Sequence, residues 1–188
     1  MILGIDLGTT NSSCACYEAD ELLIIPNERG GRTSPSIVSL GEEGDILVGE
    51  SAKNQALIRP EHTIRHAKRL LGTSVRIPFG KSEIDPEEAL SYILNKLKHD
   101  AEHYMNCDIQ DAVITVPAYF SELQRRAVKE AGKRAGLQVR RLLNEPTAAA
   151  LAWAWSHKKK LDSSENTEQT VLVYDLGGGT FDVTVLKM

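Results

Sequence analysis

Asp6–Asn11 has the sequence DLGTTN, and Asp175–Thr180, near the other end of the chain, has the sequence DLGGGT. Each segment follows an apolar run that is typical of a β-strand and precedes a second such run. Glycine lets the backbone approach a phosphate closely, threonine adds a hydroxyl donor, and a carboxylate at a strand end can hold a hard cation. Two such turns facing each other would clamp a polyphosphate from both sides. The alternative is that each aspartate only forms a turn.

The composition is that of an ordinary globular protein. The chain has 188 residues and a formal net charge of -4, which argues against a general nucleic-acid coat or a binder of anionic membranes. It contains no apolar run long enough to span a bilayer, and residues 1–20 lack the basic and apolar regions of a signal peptide. Three cysteines, an odd number, favour a reducing compartment. We therefore expect a cytoplasmic protein in which Cys14 and Cys16 are small buried hydrophobes rather than metal ligands.

The order of predicted strands and helices indicates an α/β fold with a mixed sheet. Three antiparallel strands come first, and two later strands alternate with helices, an order that gives parallel pairs because parallel strands need crossover connections. The predicted strands are 2–6, 12–17, 22–25, 112–116 and 139–143, and the helices that follow the last two are 121–135 and 144–158. We predict a sheet of three antiparallel and then parallel strands, flanked by helices.

A second group of elements is inserted into this sheet. Its best helix signal is Asp85-Pro86, a capping residue followed by a first-turn proline. The other predicted elements are a hairpin at 36–40 and 46–48 and helices at 51–58 and about 61–71. The expected division is a core subdomain at 1–36 and 109–165, an inserted α+β subdomain at 37–108, and the first hairpin of a second lobe at 166–188.

Four motifs of the chain resemble those of the seventy-kilodalton heat-shock chaperones, including the bacterial DnaK type. The two acid-glycine turns are similar to that family's two phosphate motifs, and Val116–Phe120 and Asn144–Ala150 are similar to further signatures in the family's order. The similarity covers essentially the whole chain. It implies a lobe of an actin-like (ribonuclease H-like) ATPase, with ATP or ADP and Mg²⁺ as cofactors and K⁺ as a further candidate cation.

The resemblance also implies roles for individual residues. Lys68 would lie near the attacking water, and the other implied catalytic residues are Glu145, Asp175 and Thr180. Asp6, Glu145 and Asp175 would hold magnesium, largely through water. The implied phosphate-binding residues are Asp6, Gly8, Thr9, Thr10, Asn11, Gly177, Gly178, Gly179, Thr180 and Asp182. Pro117 and Arg125 would pass the nucleotide state to a substrate domain.

Simpler interpretations remain open for several of these residues taken alone. Lys68 could be a solvated helix lysine, and Glu145 could only compensate a helix dipole. Pro117 could simply end a strand, and Arg125 could be a solvated helix residue.

The expected function is that of the N-terminal part of a chaperone ATPase that hydrolyses ATP to control peptide binding and protein folding. The implied partners are unfolded or extended peptides, a J-domain co-chaperone and a nucleotide-exchange factor; no nucleic acid or membrane is expected. Two alternatives are a sugar or acetate kinase of the same superfamily and a non-catalytic docking module for co-chaperones.

The resemblance implies an ATPase domain longer than this chain, with adenosine-contacting residues in a part that has no counterpart here. We therefore expect the chain alone to bind nucleotide weakly and to hydrolyse little. The hairpin at 166–188 lacks neighbouring strands, so we expect it to pack irregularly, to be disordered or to contact another chain.

Overall fold

The computed structural model describes residues 1–19, 21–157, 170–178 and 181–187. The linker predicted at 158–169 and the site candidates Gly179 and Thr180 lie outside the described residues. The helices are α1 (Glu50–Ile58), α2 (Pro86–Met105), α3 (Glu122–Arg134) and α4 (Glu145–Ser156). The strands are β1 (Ile2–Asp6), β2 (Asn11–Glu18), β3 (Glu21–Ile24), β4 (Ser34–Pro35), β5 (Ile37–Leu40), β6 (Ile46–Val48), β7 (Thr63–Arg65), β8 (Ile77–Phe79), β9 (Ser82–Ile84), β10 (Asp111–Val116), β11 (Gln138–Asn144), β12 (Thr170–Leu176) and β13 (Phe181–Lys187).

The main sheet has the mixed architecture predicted from the sequence. Its strands are ordered β11-β10-β1-β2-β3, and β4 adds a short pair to β2. Parallel pairs join β1 to β10 and β10 to β11, whereas β1, β2 and β3 pair antiparallel. Helix α3 is the crossover between β10 and β11, as a parallel pair requires. The predicted α/β class and mixed sheet are confirmed.

Helices α2 and α3 cover one face of the main sheet. Alternate residues of the central strands lie beneath them, and Ile5, Ile114 and Val116 are at most 1% exposed. Full burial of a side chain of this size contributes about 1.5–3 kcal/mol to folding. Helix α4 lies over the opposite face, where the Trp155 ring meets Tyr17 of β2 edge-on at 5.5 Å between centroids. Among the described residues, no helix combines the length and the apolar character that crossing a membrane requires.

The inserted segment builds its own sheet, ordered β6-β5-β7, with α1 packed against β5 and the hairpin β8–β9 beside it. The helix predicted at about 61–71 is wrong, because this stretch forms a 3₁₀ turn (Pro60–His62), strand β7 and a second 3₁₀ turn (Ala67–Leu70). Strand β7 pairs with β5, and His66 then adopts a left-handed φ of 58°. Pairing with a distant strand overrides the local helical spacing. The proposed subdomain boundaries stay a prediction.

The hairpin β12–β13 pairs regularly along its whole length, from Thr170 opposite Lys187 to Leu176 opposite Phe181. It packs against α4 through one face. Irregular packing, one of the three outcomes expected for this hairpin, is not what its described residues show. The apolar side chains of its other face are at least half exposed: Leu172, Tyr174, Leu176, Phe181, Val183 and Val185. Self-association through this face stays a prediction.

Helix α2 begins at a well-defined cap, as the Asp85-Pro86 pair predicts. The Asp85 carboxylate accepts a hydrogen bond from the Glu88 backbone N–H at 2.7 Å. Arg134, the last residue of α3, donates to the two oxygens of the same carboxylate at 2.7 and 2.9 Å. Burial alone would raise the pKa of Asp85, but the hydrogen bonds from Arg134 and Glu88 hold that pKa below its ordinary value. One carboxylate thus starts α2 and fastens it to α3.

Replacing Asp85 with alanine is expected to lower the free energy of unfolding by about 1–2 kcal/mol at about pH 7, because the cap and the Arg134 contact are both lost. A carboxylate whose pKa is lower in the folded than in the unfolded state stabilises the fold at pH values above its unfolded pKa. That stabilisation is lost as the pH falls through the folded pKa. Urea denaturation should therefore show the difference from the unmodified chain shrinking as the pH falls below the ordinary range of an aspartate carboxyl. Glu87→Ala removes the same charge from the same turn and should cost only about 0.5 kcal/mol. An unchanged difference at acid pH would contradict the assignment to Asp85.

Candidate functional site: a cleft between two acid-glycine turns

The two acid-glycine turns lie against each other and share one cleft of about 260 Å³. They are in direct contact, since a Cβ built on Gly178 would lie 2.5 Å from Thr10 Oγ1. The described residues that line the cleft are Asp6, Gly8, Thr9, Thr10, Asn11, Lys68, Pro117, Glu145, Asp175, Leu176, Gly177 and Gly178. The structure thus brings together most of the residues singled out from the sequence, although they come from both ends of the chain.

The first turn is held in shape by Ser36, a residue that the sequence analysis did not single out. Its hydroxyl donates to the Gly8 carbonyl and its backbone N–H donates to the Thr10 carbonyl, both at 2.8 Å. The Ser12 hydroxyl lies 2.8 Å from the Ser36 hydroxyl and adds a third contact. Gly8 has no room for a side chain, because a Cβ there would overlap the Asn11 carbonyl. The turn is therefore fixed before any ligand arrives.

Lys68 is buried at the base of the cleft. It lies in the second 3₁₀ turn, is 5% exposed, and its Nζ donates to the Leu7 carbonyl at 2.6 Å and to Glu145 Oε1 at 2.7 Å. The Phe120 ring lies 5.6 Å from the same Nζ. The alternative of a solvated helix lysine is therefore wrong. Lys68 instead ties the first turn to the start of α4.

The carboxyl of Glu145, the first residue of α4, is affected by burial and by nearby charges of both signs. Burial raises the pKa of its carboxyl; the nearby Lys68 ammonium opposes that rise, while the charges of Asp6 and Asp175 add to it. Its side chain is 17% exposed. Dipole compensation alone would not require an ion pair with a buried lysine. The charges of Asp6 and Asp175 thus act on Glu145 across the cleft, and Lys68 supplies the single cationic side chain among the described lining residues.

Asp6 is oriented by Thr115, which the sequence analysis missed. Thr115 Oγ1 donates to Asp6 Oδ1 at 2.8 Å. The two residues become neighbours through the parallel pairing of β1 with β10, in which Ile5 lies opposite Ile114. A period-two strand pattern places Thr115 on the less buried face of β10, but the register that sets it beside Asp6 is not visible in either strand alone.

The hydroxyl of Thr10 lies where the two turns meet and can form a hydrogen bond with a ligand. Its Oγ1 is buried and has no partner among the described residues. Leaving such a group unsatisfied costs about 1–3 kcal/mol. A ligand oxygen or a bound water in the cleft would satisfy it, so this hydroxyl, the carboxylates and the glycine backbone fit a hydrated cation bound with a phosphate chain.

Asp182 lies directly opposite Asp175 across the β12–β13 hairpin, and it is not among the described lining residues. Like charges directly opposite in an antiparallel pair are unfavourable unless a cation separates them. In the described part of the chain, no three His, Cys, Asp or Glu side chains converge closely enough to hold a metal ion by themselves. Any cation at Asp6, Glu145 and Asp175 would therefore need water or a ligand to complete its coordination.

Arg125 of α3 is not a solvated helix residue. Its guanidinium donates to the carbonyls of Phe120 and Ala118 at 3.1 and 3.3 Å and to Asn144 Oδ1 at 2.9 Å. Asn144 directly precedes Glu145, and Pro117 lines the cleft. Arg125 thus lies outside the cleft but fastens together the loop after β10 and the start of α4.

Comparisons with known proteins agree with this arrangement. The family model described as "Hsp70 protein" matches residues 2–85 and 73–188. The chain is 50% identical to proteins described as "Chaperone protein DnaK" from Thermotoga petrophila, Thermosipho melanesiensis and Thermotoga maritima. Each alignment covers all 188 residues of the chain and 30% of the relative, so the chain spans less than a third of the length of these proteins. The mixed α/β architecture is consistent with the actin-like ATPase fold of that family. The chain belongs to the Hsp70 family.

Proposed function

We propose that the chain forms the half of an ATPase site that binds the phosphates of a magnesium-bound nucleotide. The whole protein would be a chaperone that couples ATP hydrolysis to peptide binding. The observation that carries the proposal is the meeting of the two acid-glycine turns over the Lys68–Glu145 pair. The similarity to chaperones along the whole chain favours this function over a sugar or acetate kinase and over a docking module without catalysis.

The charge of the cleft supports binding of a cation together with the phosphates. Among the described lining residues, three carboxylates (Asp6, Glu145 and Asp175) stand against one lysine, so a bare polyphosphate would be repelled. Mg²⁺ bound with the nucleotide would neutralise phosphate charge and polarise the terminal phosphoryl group. Asp6 and Asp175 are proposed to hold its water ligands from the ends of β1 and β12.

The phosphates themselves would be held by the two turns. Gly8, Gly177 and Gly178 let the backbone come close to an anion, and Thr9, Thr10 and Asn11 bring hydroxyl, amide and backbone donors. Thr10 Oγ1 is already buried, so its hydroxyl can donate a hydrogen bond to a phosphate oxygen with little further loss of hydration. Gly179, Thr180 and Asp182 are proposed to complete the second turn.

Lys68 and Glu145 are proposed to position the attacking water. An ammonium group has three donors, and the described contacts of Lys68 use two of them, on the Leu7 carbonyl and on Glu145. The third can stabilise negative charge that develops on the terminal phosphate, where a preorganised donor in a water-poor site is most effective. Glu145, held by Lys68, can accept a hydrogen bond from a water bound at the cation.

Pro117 and Arg125 are proposed to transmit the nucleotide state of the cleft to a substrate domain. Pro117 lines the cleft and Arg125 holds the carbonyl of the following residue, Ala118, together with Asn144. A shift at Glu145 would therefore reach α3 through Asn144 and Arg125. In the whole protein, we propose a cytoplasmic location, extended peptides as substrates, and a J-domain co-chaperone and a nucleotide-exchange factor as partners.

The test is to substitute this chain for the matching segment of the DnaK chaperone of Thermotoga maritima and to measure steady-state ATP hydrolysis. We expect Mg²⁺-dependent hydrolysis that chelation with EDTA removes and that an extended peptide stimulates. A chimaera that folds and binds peptide but does not hydrolyse ATP would contradict the proposal. Fluorescent ATP should bind only weakly to the isolated chain, and sub-micromolar affinity there would show that the chain needs no further residues for the nucleotide.

A further inference from the structure

The end of α2 and the middle of β2 bring sulfur atoms together at a distance from the cleft. Cys16 of β2 is 3% exposed, and its Sγ lies 3.6 Å from the Sδ of Met105, the last residue of α2. Cys107 follows two residues later and is exposed. We call Cys16, Met105 and Cys107 the sulfur cluster. None of its members takes part in the proposed ATPase site.

The backbone at the end of α2 keeps Cys107 close to Met105, the residue that touches the buried Cys16. Asn106 has a left-handed φ of 50°, and the Cys107 N–H donates to the Glu102 carbonyl at 3.3 Å, so the chain folds back against the last turn of the helix. Met105 touches Cys16 and stands two residues before Cys107, so the turn holds the exposed thiol beside the residue that contacts the buried one. A core thiol and a solvent-exposed thiol therefore share Met105 as a neighbour, one through a contact and the other along the chain.

The remaining cysteine has a different setting. Cys14 Sγ donates to the Leu97 carbonyl at 3.7 Å, two helical turns before the end of α2, and burial raises the pKa of its thiol to about 12. Burial also raises the pKa of Cys16. Because reactivity toward oxidants follows thiolate character and exposure, Cys107 is the thiol that an oxidant in solution reaches first.

We propose that Cys107 and Cys16 are a reversible redox pair that forms a disulfide when the protein meets hydrogen peroxide. Peroxide transfers one oxygen to Cys107 Sγ, which gives a sulfenic acid and one water. Cys16 Sγ then attacks that sulfur; the S–S bond forms as the S–O bond breaks, and the departing hydroxide takes the Cys16 proton as a second water. Two thiols are oxidised and one peroxide is reduced to two waters. A small thiol reductant restores the pair.

The disulfide would join β2, the strand that leaves the first acid-glycine turn, to the end of α2. It would close a loop that contains the inserted segment, and closing a long loop restricts the unfolded chain more than the folded one. Oxidised protein is therefore expected to denature at a higher urea concentration than reduced protein.

The test uses the unmodified chain. After treatment with hydrogen peroxide and alkylation of the remaining thiols, peptide mapping by mass spectrometry should show a Cys16 peptide linked to a Cys107 peptide, with Cys14 alkylated. Dithiothreitol should release the link. Cys14→Ala should keep it, whereas in Cys16→Ala the Cys107 sulfenic acid should persist and be trapped by dimedone. Overturning results are a link that involves Cys14, Cys107-linked dimers as the main product, or an oxidised Cys107 beside a fully alkylated Cys16.

Discussion

Replacing Lys68 with methionine is expected to lower the free energy of unfolding by about 3 kcal/mol and to reduce ATP hydrolysis by about 10²–10³-fold. The stability loss follows from burial: Lys68 is 5% exposed, and its removal leaves Glu145 as an unpaired carboxylate and the Leu7 carbonyl without its donor. The loss of hydrolysis would follow from removal of the ammonium charge that is proposed to lie beside the phosphates. Urea denaturation of the chain measures the first effect, and steady-state hydrolysis by the DnaK chimaera measures the second.

A matched control for this prediction is Lys96→Met. Lys96 of α2 is also ion-paired and largely buried, with Nζ 2.7 Å from Asp100 and 3.0 Å from Glu28, but it lies outside the cleft. Its loss should reduce stability and leave the hydrolysis rate per folded molecule unchanged. Adding Glu145→Gln to Lys68→Met should recover part of the stability, because the uncompensated charge is removed, but none of the hydrolysis. A Lys68→Met chimaera that hydrolyses ATP at the normal rate would remove Lys68 from the mechanism.

The parts of the fold that could be predicted from the sequence are those in which local signals agree. Apolar runs bounded by turn residues mark β1, β10 and β12, and the Asp85-Pro86 pair marks the start of α2. The order of these elements was enough to predict a mixed sheet, because parallel strands need crossovers. The two acid-glycine turns could be paired in advance because they share one chemistry.

The parts that could not be predicted depend on contacts between distant segments. The apolar residues around Thr63–Arg65 have helical spacing, but this segment pairs with β5 as a strand. Because of that pairing, Lys68 lies in a buried turn instead of on a solvated helix. Thr115 reaches Asp6 only through the register of two parallel strands, and no local signal carries that register. Ser36, which holds the first turn, is likewise distant in sequence from the carbonyls that it contacts.

The contact between the two turns can itself be tested by adding one methyl group. A Cβ on Gly178 would lie 2.5 Å from Thr10 Oγ1 and 3.1 Å from Thr10 Cβ, so Gly178→Ala must push the turns apart or displace the threonine. Overpacking of this kind costs about 1–3 kcal/mol. We expect the affinity of the chimaera for Mg·ADP, measured by calorimetric titration, to fall by about 10-fold or more. Gly4→Ala is the control, because its Cβ would lie 3.4 Å from the Ala15 carbonyl, an ordinary contact in the same strand as Asp6.

A double-mutant cycle separates this steric effect from a general loss of the second turn. Thr10→Ala removes the hydroxyl and the methyl group that the new Cβ would strike, so it should relieve Gly178→Ala even though it weakens binding by itself. The two substitutions should therefore be non-additive, since residues in contact show coupling energies of about 0.5–3 kcal/mol. Additive effects would mean that the turns do not touch in the protein. The phosphates would then be held by one turn at a time, and the cleft between Asp6 and Asp175 could not act as a single site.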